Sequence, residues 1–146
     1  MEETIEDQAL DCLMEILEFY HKALFMAERE VITGNKEAKF RLLLQLYPAP
    51  TLTMTALGRL LYISKPYMTR LVDAMSAEGL VERRYDPNDR RVINIIITPK
   101  GKGELESVKL QIRKHLQKVI ANLHEYDLKN LHSSGEQFIE IVSKIP

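Results

Sequence analysis

A single cysteine, Cys12, stands among the 146 residues, which excludes an internal disulfide and a cysteine-based zinc site and makes a reducing compartment the natural expectation. No apolar run approaches the roughly 18 residues of a membrane span, and the acidic N-terminus lacks the basic flank and apolar centre of a signal peptide. These absences predict a cytoplasmic location. His21, His115, His124 and His132 show no zinc-ligand spacing, so neither metal nor cofactor is expected. A nucleophile elbow, a Walker loop, a dinucleotide glycine pattern and a metalloprotease signature are all missing, and nothing in the sequence points to an enzyme. No internal repeat, low-complexity tract or Gly/Ser linker divides the chain, and its length suits one domain with its own core.

What is present is a globular composition, 45% hydrophobic and 28% charged, with a charge gradient hidden under a net charge of −1. Residues 1–50 carry 5 Lys/Arg against 10 Asp/Glu, residues 51–102 carry 9 against 5, and residues 103–146 carry 6 against 6. A basic middle between acidic and neutral ends is what a chain shows when one part of it meets phosphate.

Ile5, Ala9, Cys12, Leu13, Ile16, Tyr20, Leu24, Ala27 and Val31 recur at helical spacing, predicting one long amphipathic helix over 5–31 with Thr4 as its cap. Gly34-Asn35 offers a stop and a new cap before a second helix through Phe40 and Leu42–Leu46, which Pro48-Ala49-Pro50 ends. An extended Leu52-Thr53 leads into a third helix capped by Thr53. Ser64 caps a fourth, with Pro66 in its first turn, Met68, Leu71, Val72 and Met75 on its inner face and Gly79 as its stop. Residues 80–85 and 91–98 then read as two strands around the turn 86–90. Helical spacing resumes through Leu105, Val108, Ile112, Leu116, Val119, Ile120 and Leu123. Asp127 is placed to cap a final helix, with Ser133-Ser134-Gly135 as a kink or break.

Two capped helices joined by a tight turn and followed by a hairpin with an arginine-bearing tip describe a winged helix-turn-helix. The predicted class is mainly α with a small β-hairpin wing (α+β). The first turns of a helix laid in the major groove approach the base edges, so Ser64, Lys65, Pro66, Tyr67, Thr69 and Arg70 are the expected DNA-facing residues of a recognition helix. Asp89, Arg90 and Arg91 form the expected wing tip, where arginine suits the narrow, negative minor groove. The plainer alternatives are that Lys65 and Arg70 solvate a helix face, and that Asp89 is a turn former paired with Arg90 or Arg91.

The stretches Leu52–Leu57, Ser64–Asp73, Glu78–Arg83 and Asp86–Arg91, followed by Ile97-Thr98-Pro99-Lys100-Gly101, together resemble the multiple-antibiotic-resistance regulator (MarR) family of transcription factors. Gly58 and Tyr62 depart from that pattern, standing where a small helix former and a turn glycine are common. The resemblance implies a homodimeric repressor on a pseudo-palindromic double-stranded operator, with interlocking terminal helices and a pocket for a small amphipathic or phenolic ligand. It implies a single domain, 1–146, in which 1–34 and 103–146 are dimerisation helices and 35–102 is the DNA-binding lobe.

The apolar stripes at the two ends independently exceed what one small winged lobe can cover. Leu10, Leu13, Leu17, Leu116, Val119, Ile120, Phe138, Ile141 and Val142 are the expected dimer interface, with ordinary intrachain core as the alternative for each. Cys12 lies where the peroxide-sensing branch of the family carries its reactive cysteine. Its place on the apolar stripe beside Asp11 and Glu15 favours a buried structural thiol over a redox switch. A winged-helix module for protein interaction, without operator binding, is the alternative function.

Overall fold

The computed structural model describes the backbone of residues 4–31 and 36–146 and the side chains of 4–23 and 36–146. The expected stop and cap at Gly34-Asn35, and the side chains of Leu24, Ala27 and Val31, lie outside the described residues. In chain order the elements are α1 (Ile5–Val31), α2 (Lys36–Gln45), β1 (Thr51–Thr53), α3 (Met54–Leu61), α4 (Lys65–Ala77), β2 (Val81–Tyr85), β3 (Ile93–Ile97), α5 (Pro99–Val119) and α6 (Glu125–Val142). They divide into two compact units, residues 1–113 and 114–146.

The core of the first unit is built from α2, α3, α4 and one face of a small sheet. Leu42, Leu43, Leu46, Leu57, Leu61, Met68, Leu71, Val72 and Met75 are buried there with Leu80, Val81, Ile95, Ile97 and Leu105. The sheet is antiparallel in the order β1-β3-β2, with Leu52 opposite Ile95 and Val81 opposite Ile97. The wing is thus three-stranded where the sequence predicts a hairpin, because β1 pairs with β3 across some forty intervening residues and closes its open edge. The second hairpin strand is shorter than predicted, Ile93–Ile97, since Asp89 O accepts from Val92 N and holds residues 89–92 in the turn.

Local chemistry fixes the ends of these elements. Thr4 Oγ1 accepts from Asp7 N, while Asp7 accepts from both the amide and the hydroxyl of Thr4 and is thereby held below the usual carboxylate range. Thr53 Oγ1 accepts from Ala56 N at 3.1 Å and Ser64 Oγ from Tyr67 N at 3.4 Å, so α3 and α4 start where the caps predict. After α4, Gly79 takes φ +76°, and Leu80 N donates to Met75 O in the closing pattern that favours glycine. At the start of α5, Gly101 packs against backbone, where an added Cβ would fall 2.1 Å from Leu80 O.

Three expectations for the second unit are corrected. Helix α6 begins at Glu125 with His124 at its cap position and no side-chain capping bond, so Asp127 sits inside the first turn, where its charge complements the free amides. The helix runs without a break through Ser133-Ser134-Gly135, and Ser133 Oγ donates to Asn130 O. Ile120 and Leu123 lie beyond the end of α5, in the connection to α6.

None of the described side chains of α1 and none of α6 is buried. Of the nine residues expected at an interface, all are exposed or half-buried, with Leu13 at 42%, Val119 at 44% and Ile141 at 60% exposure. Cys12 is likewise exposed in the single chain, against the expectation of burial.

Candidate nucleic-acid interface

Helix α4 sorts its residues as its period demands. Met68, Leu71, Val72 and Met75 are buried, while Ser64, Lys65, Pro66, Thr69 and Arg70 are exposed along the opposite side. Tyr67 departs from the expected outward position. It is half-buried against the core, and the Arg70 guanidinium carbon lies 5.9 Å from its ring centroid. Thr69 is exposed, and its Oγ1 donates to Lys65 O at 3.0 Å.

The wing tip is organised by two carboxylates. Asp86 Oδ1 accepts from Asn88 N at 2.8 Å and from Asp89 N at 3.1 Å, an Asx turn that shapes the loop. Asp89 Oδ1 in turn accepts from Arg91 N at 3.0 Å and from Arg91 Nε at 3.2 Å. Asp89 is therefore both turn former and orienting partner, while the Arg91 side chain remains 92% exposed. Arg90 is exposed and, among the described residues, makes no ion pair.

Between α3, the start of α4 and the base of the wing lies an open groove of about 970 Å³. It brings together Lys65, Thr69 and Arg91 from the sequence prediction, whereas Ser64, Pro66, Tyr67, Arg70, Asp89 and Arg90 do not line it. It adds Arg59 and Tyr62, which the sequence reading did not select for this surface. Three cations and no carboxylate line the groove, and Arg59 and Lys65 make no ion pair among the described residues. Arg59 was legible in principle, since it falls one turn before the helix-turn-helix bend on the outer side of α3. Arg83 was also missed. The strand alternation that buries Val81 places Arg83 on the same face, where its Nη1 reaches Asp73 of α4 at 2.6 Å.

Residues 36–93 match the model of the MarR family. This segment is a winged helix-turn-helix of the MarR family of transcriptional regulators. The chain is 33% identical over 95 residues to the HTH-type transcriptional repressor YetL of Bacillus subtilis, covering 64% of this chain and 55% of YetL. It is 28% identical over 94 residues to the uncharacterized HTH-type transcriptional regulator YdgJ of the same organism, covering 64% of this chain and 57% of YdgJ. The chain thus spans less than three fifths of the length of these relatives. In fold it is similar to a MarR family protein from Bacillus stearothermophilus, with a TM-score of 0.75, 22% identity and coverage of 97% and 100% of the two chains. The family is one of regulators and not of enzymes. Among the described residues no His, Cys, Asp and Glu group could hold a metal, and no helix is long and apolar enough to cross a membrane.

Proposed function

We propose that this chain is a homodimeric, sequence-specific double-stranded DNA-binding regulator that represses transcription from the cytoplasm and is released by a small amphipathic or phenolic molecule. The observation that carries the reading is the carboxylate-free groove joining Arg59, Lys65, Thr69 and Arg91 beside the exposed side of α4. Lys65, Thr69 and Arg70, with the cap Ser64 and the neighbouring Pro66 and Tyr67, supply the major-groove surface. Arg90 and Arg91, oriented by Asp89, supply the minor-groove contact. Residues 35–102 form the DNA-binding lobe in this reading, and 1–34 and 103–146 the dimerisation segments.

Dimerisation is supported by the uncovered apolar faces of α1 and of the 114–146 unit, which a second copy of the chain would bury around a two-fold axis. Such symmetry sets two half-sites about 34–36 Å apart on the DNA. Release follows if a ligand binds better to the arrangement of the two lobes that cannot span that distance.

Selection of duplexes from a random DNA pool by the purified chain tests this, followed by affinity measurements across a salt series. An enriched pseudo-palindromic sequence bound with a steep salt slope is the expected result. Failure to enrich any sequence sinks it and leaves a winged-helix module for protein interaction.

A further inference from the structure

Tyr62 closes α3 in a conformation that its side chain resists. Its φ of +54° makes it the one non-glycine residue in the left-handed region among the described residues. Tyr62 N donates to Arg59 O at 3.2 Å and Ile63 N to Gly58 O at 3.2 Å, a closure at which glycine carries no steric penalty and a Cβ does. Among the described residues no hydrogen bond or ring interaction of its side chain offsets this. The residue is 93% exposed, and among the described residues its hydroxyl makes no hydrogen bond and its ring no aromatic or cation–π contact. A bulky aromatic is thus held in a strained turn with its ring in water, on the rim of the groove that Arg59, Lys65 and Arg91 make positive.

We infer that Tyr62 is a DNA-contacting residue whose phenol donates a hydrogen bond to a backbone phosphate beside the major groove that α4 enters. The inference rests on the DNA-binding reading above. A tyrosine hydroxyl is a neutral donor of the kind that meets phosphate oxygens, and such contacts position a protein on the duplex without reading its sequence. Tyr62 would therefore strengthen binding to all duplexes alike, at a cost in folding stability.

The test compares the full chain with Tyr62→Gly, Tyr62→Phe and Arg70→Ala, using a duplex enriched by the unmodified protein and a random duplex. Thermal unfolding at matched protein concentration accompanies the binding curves. Tyr62→Gly is expected to raise Tm by about 2–5 °C by relieving the left-handed strain. It should also weaken both duplexes by about three- to tenfold with an unchanged salt slope, because no charge is lost. Tyr62→Phe keeps the strain, so its Tm should match the unmodified chain while its affinity falls as far as that of Tyr62→Gly. Wild-type affinity in either Tyr62 variant, with Arg70→Ala clearly weakened, overturns the phosphate contact and leaves the DNA-binding reading standing. Failure of the unmodified chain to enrich any duplex overturns both.

Discussion

Arg83 of β2 and Asp73 of α4 join the sheet to α4: Arg83 Nη1 lies 2.6 Å from Asp73 Oδ1, and Arg83 Nη2 donates to Thr69 O at 3.2 Å. One planar guanidinium therefore holds both a side chain and the backbone of the helix whose outer face carries Lys65, Thr69 and Arg70. Asp73 is more than half exposed, so the ion pair itself contributes modestly, about 0.5–1 kcal/mol in a double-mutant cycle with Arg83→Ala and Asp73→Ala. DNA affinity should fall more than stability, because α4 loses its fixed orientation. Arg83→Lys should not restore it, since an ammonium cannot reproduce the two-pronged geometry. Equal affinity for Arg83→Ala and the unmodified chain would show that α4 is positioned by its packing alone.

Much of this frame was legible before any coordinates. Thr53, Ser64, Pro66 and Gly79 mark helix ends through local hydrogen bonding and backbone preference, so nearest neighbours in sequence suffice to read them. The β1–β3 pairing was not legible, because a three-residue strand has too little alternation to announce a partner so far along the chain. The left-handed backbone of Tyr62 was also hidden, since its residue type argues against that conformation. The exposure of Cys12 was misread for a different reason: an apolar stripe shows that a face is to be covered and does not say by which chain. At the candidate interface, Lys65, Thr69 and Arg91 follow from their places in the motif, whereas Arg59 follows from its place one turn before the bend and is joined to them by the packing of α3 beside α4.

Gly101 and Gly103 make a matched pair in α5. An alanine methyl at 101 would lie 2.1 Å from Leu80 O and 3.0 Å from Ile97 Cγ1, and backbone cannot move aside cheaply. A Cβ at 103 meets nothing within 4 Å. Gly101→Ala is expected to destabilise the fold by at least about 2 kcal/mol in denaturant unfolding. Gly103→Ala should stabilise it by up to about 1 kcal/mol through helix propensity. Comparable effects at the two positions would mean that the α5 start does not dock on Leu80 in solution.

The wing makes a prediction about non-additivity. Arg91→Ala should weaken binding about five- to fiftyfold and lower the salt slope by about one, as expected for a lost phosphate or minor-groove contact. Asp89→Ala removes the carboxylate that holds Arg91 Nε and N, so it should weaken binding less and leave the slope intact. The double variant should bind no worse than Arg91→Ala, because Asp89 acts through Arg91. Strictly additive losses would assign Asp89 a separate role. Stability should change by less than about 0.5 kcal/mol in each variant, the pair being exposed.

The apolar faces carry a prediction about the oligomeric state. Leu13 is 42% exposed in the single chain and Ile141 60%, so replacing either by glutamate in a monomer would place a charge in water at little cost. In a dimer that covers both faces the same substitutions bury a carboxylate without a partner, which costs several kcal/mol unless the interface opens. Leu13→Glu and Ile141→Glu should therefore halve the mass seen by sedimentation at micromolar concentration. They should also abolish tight binding to a two-half-site duplex while leaving the weaker binding to a single half-site in place. Such an outcome separates loss of pairing from loss of the lobe, because a misfolded lobe would bind neither duplex. An unmodified chain that sediments as a monomer would remove the two-fold argument, and with it the expected spacing of the half-sites.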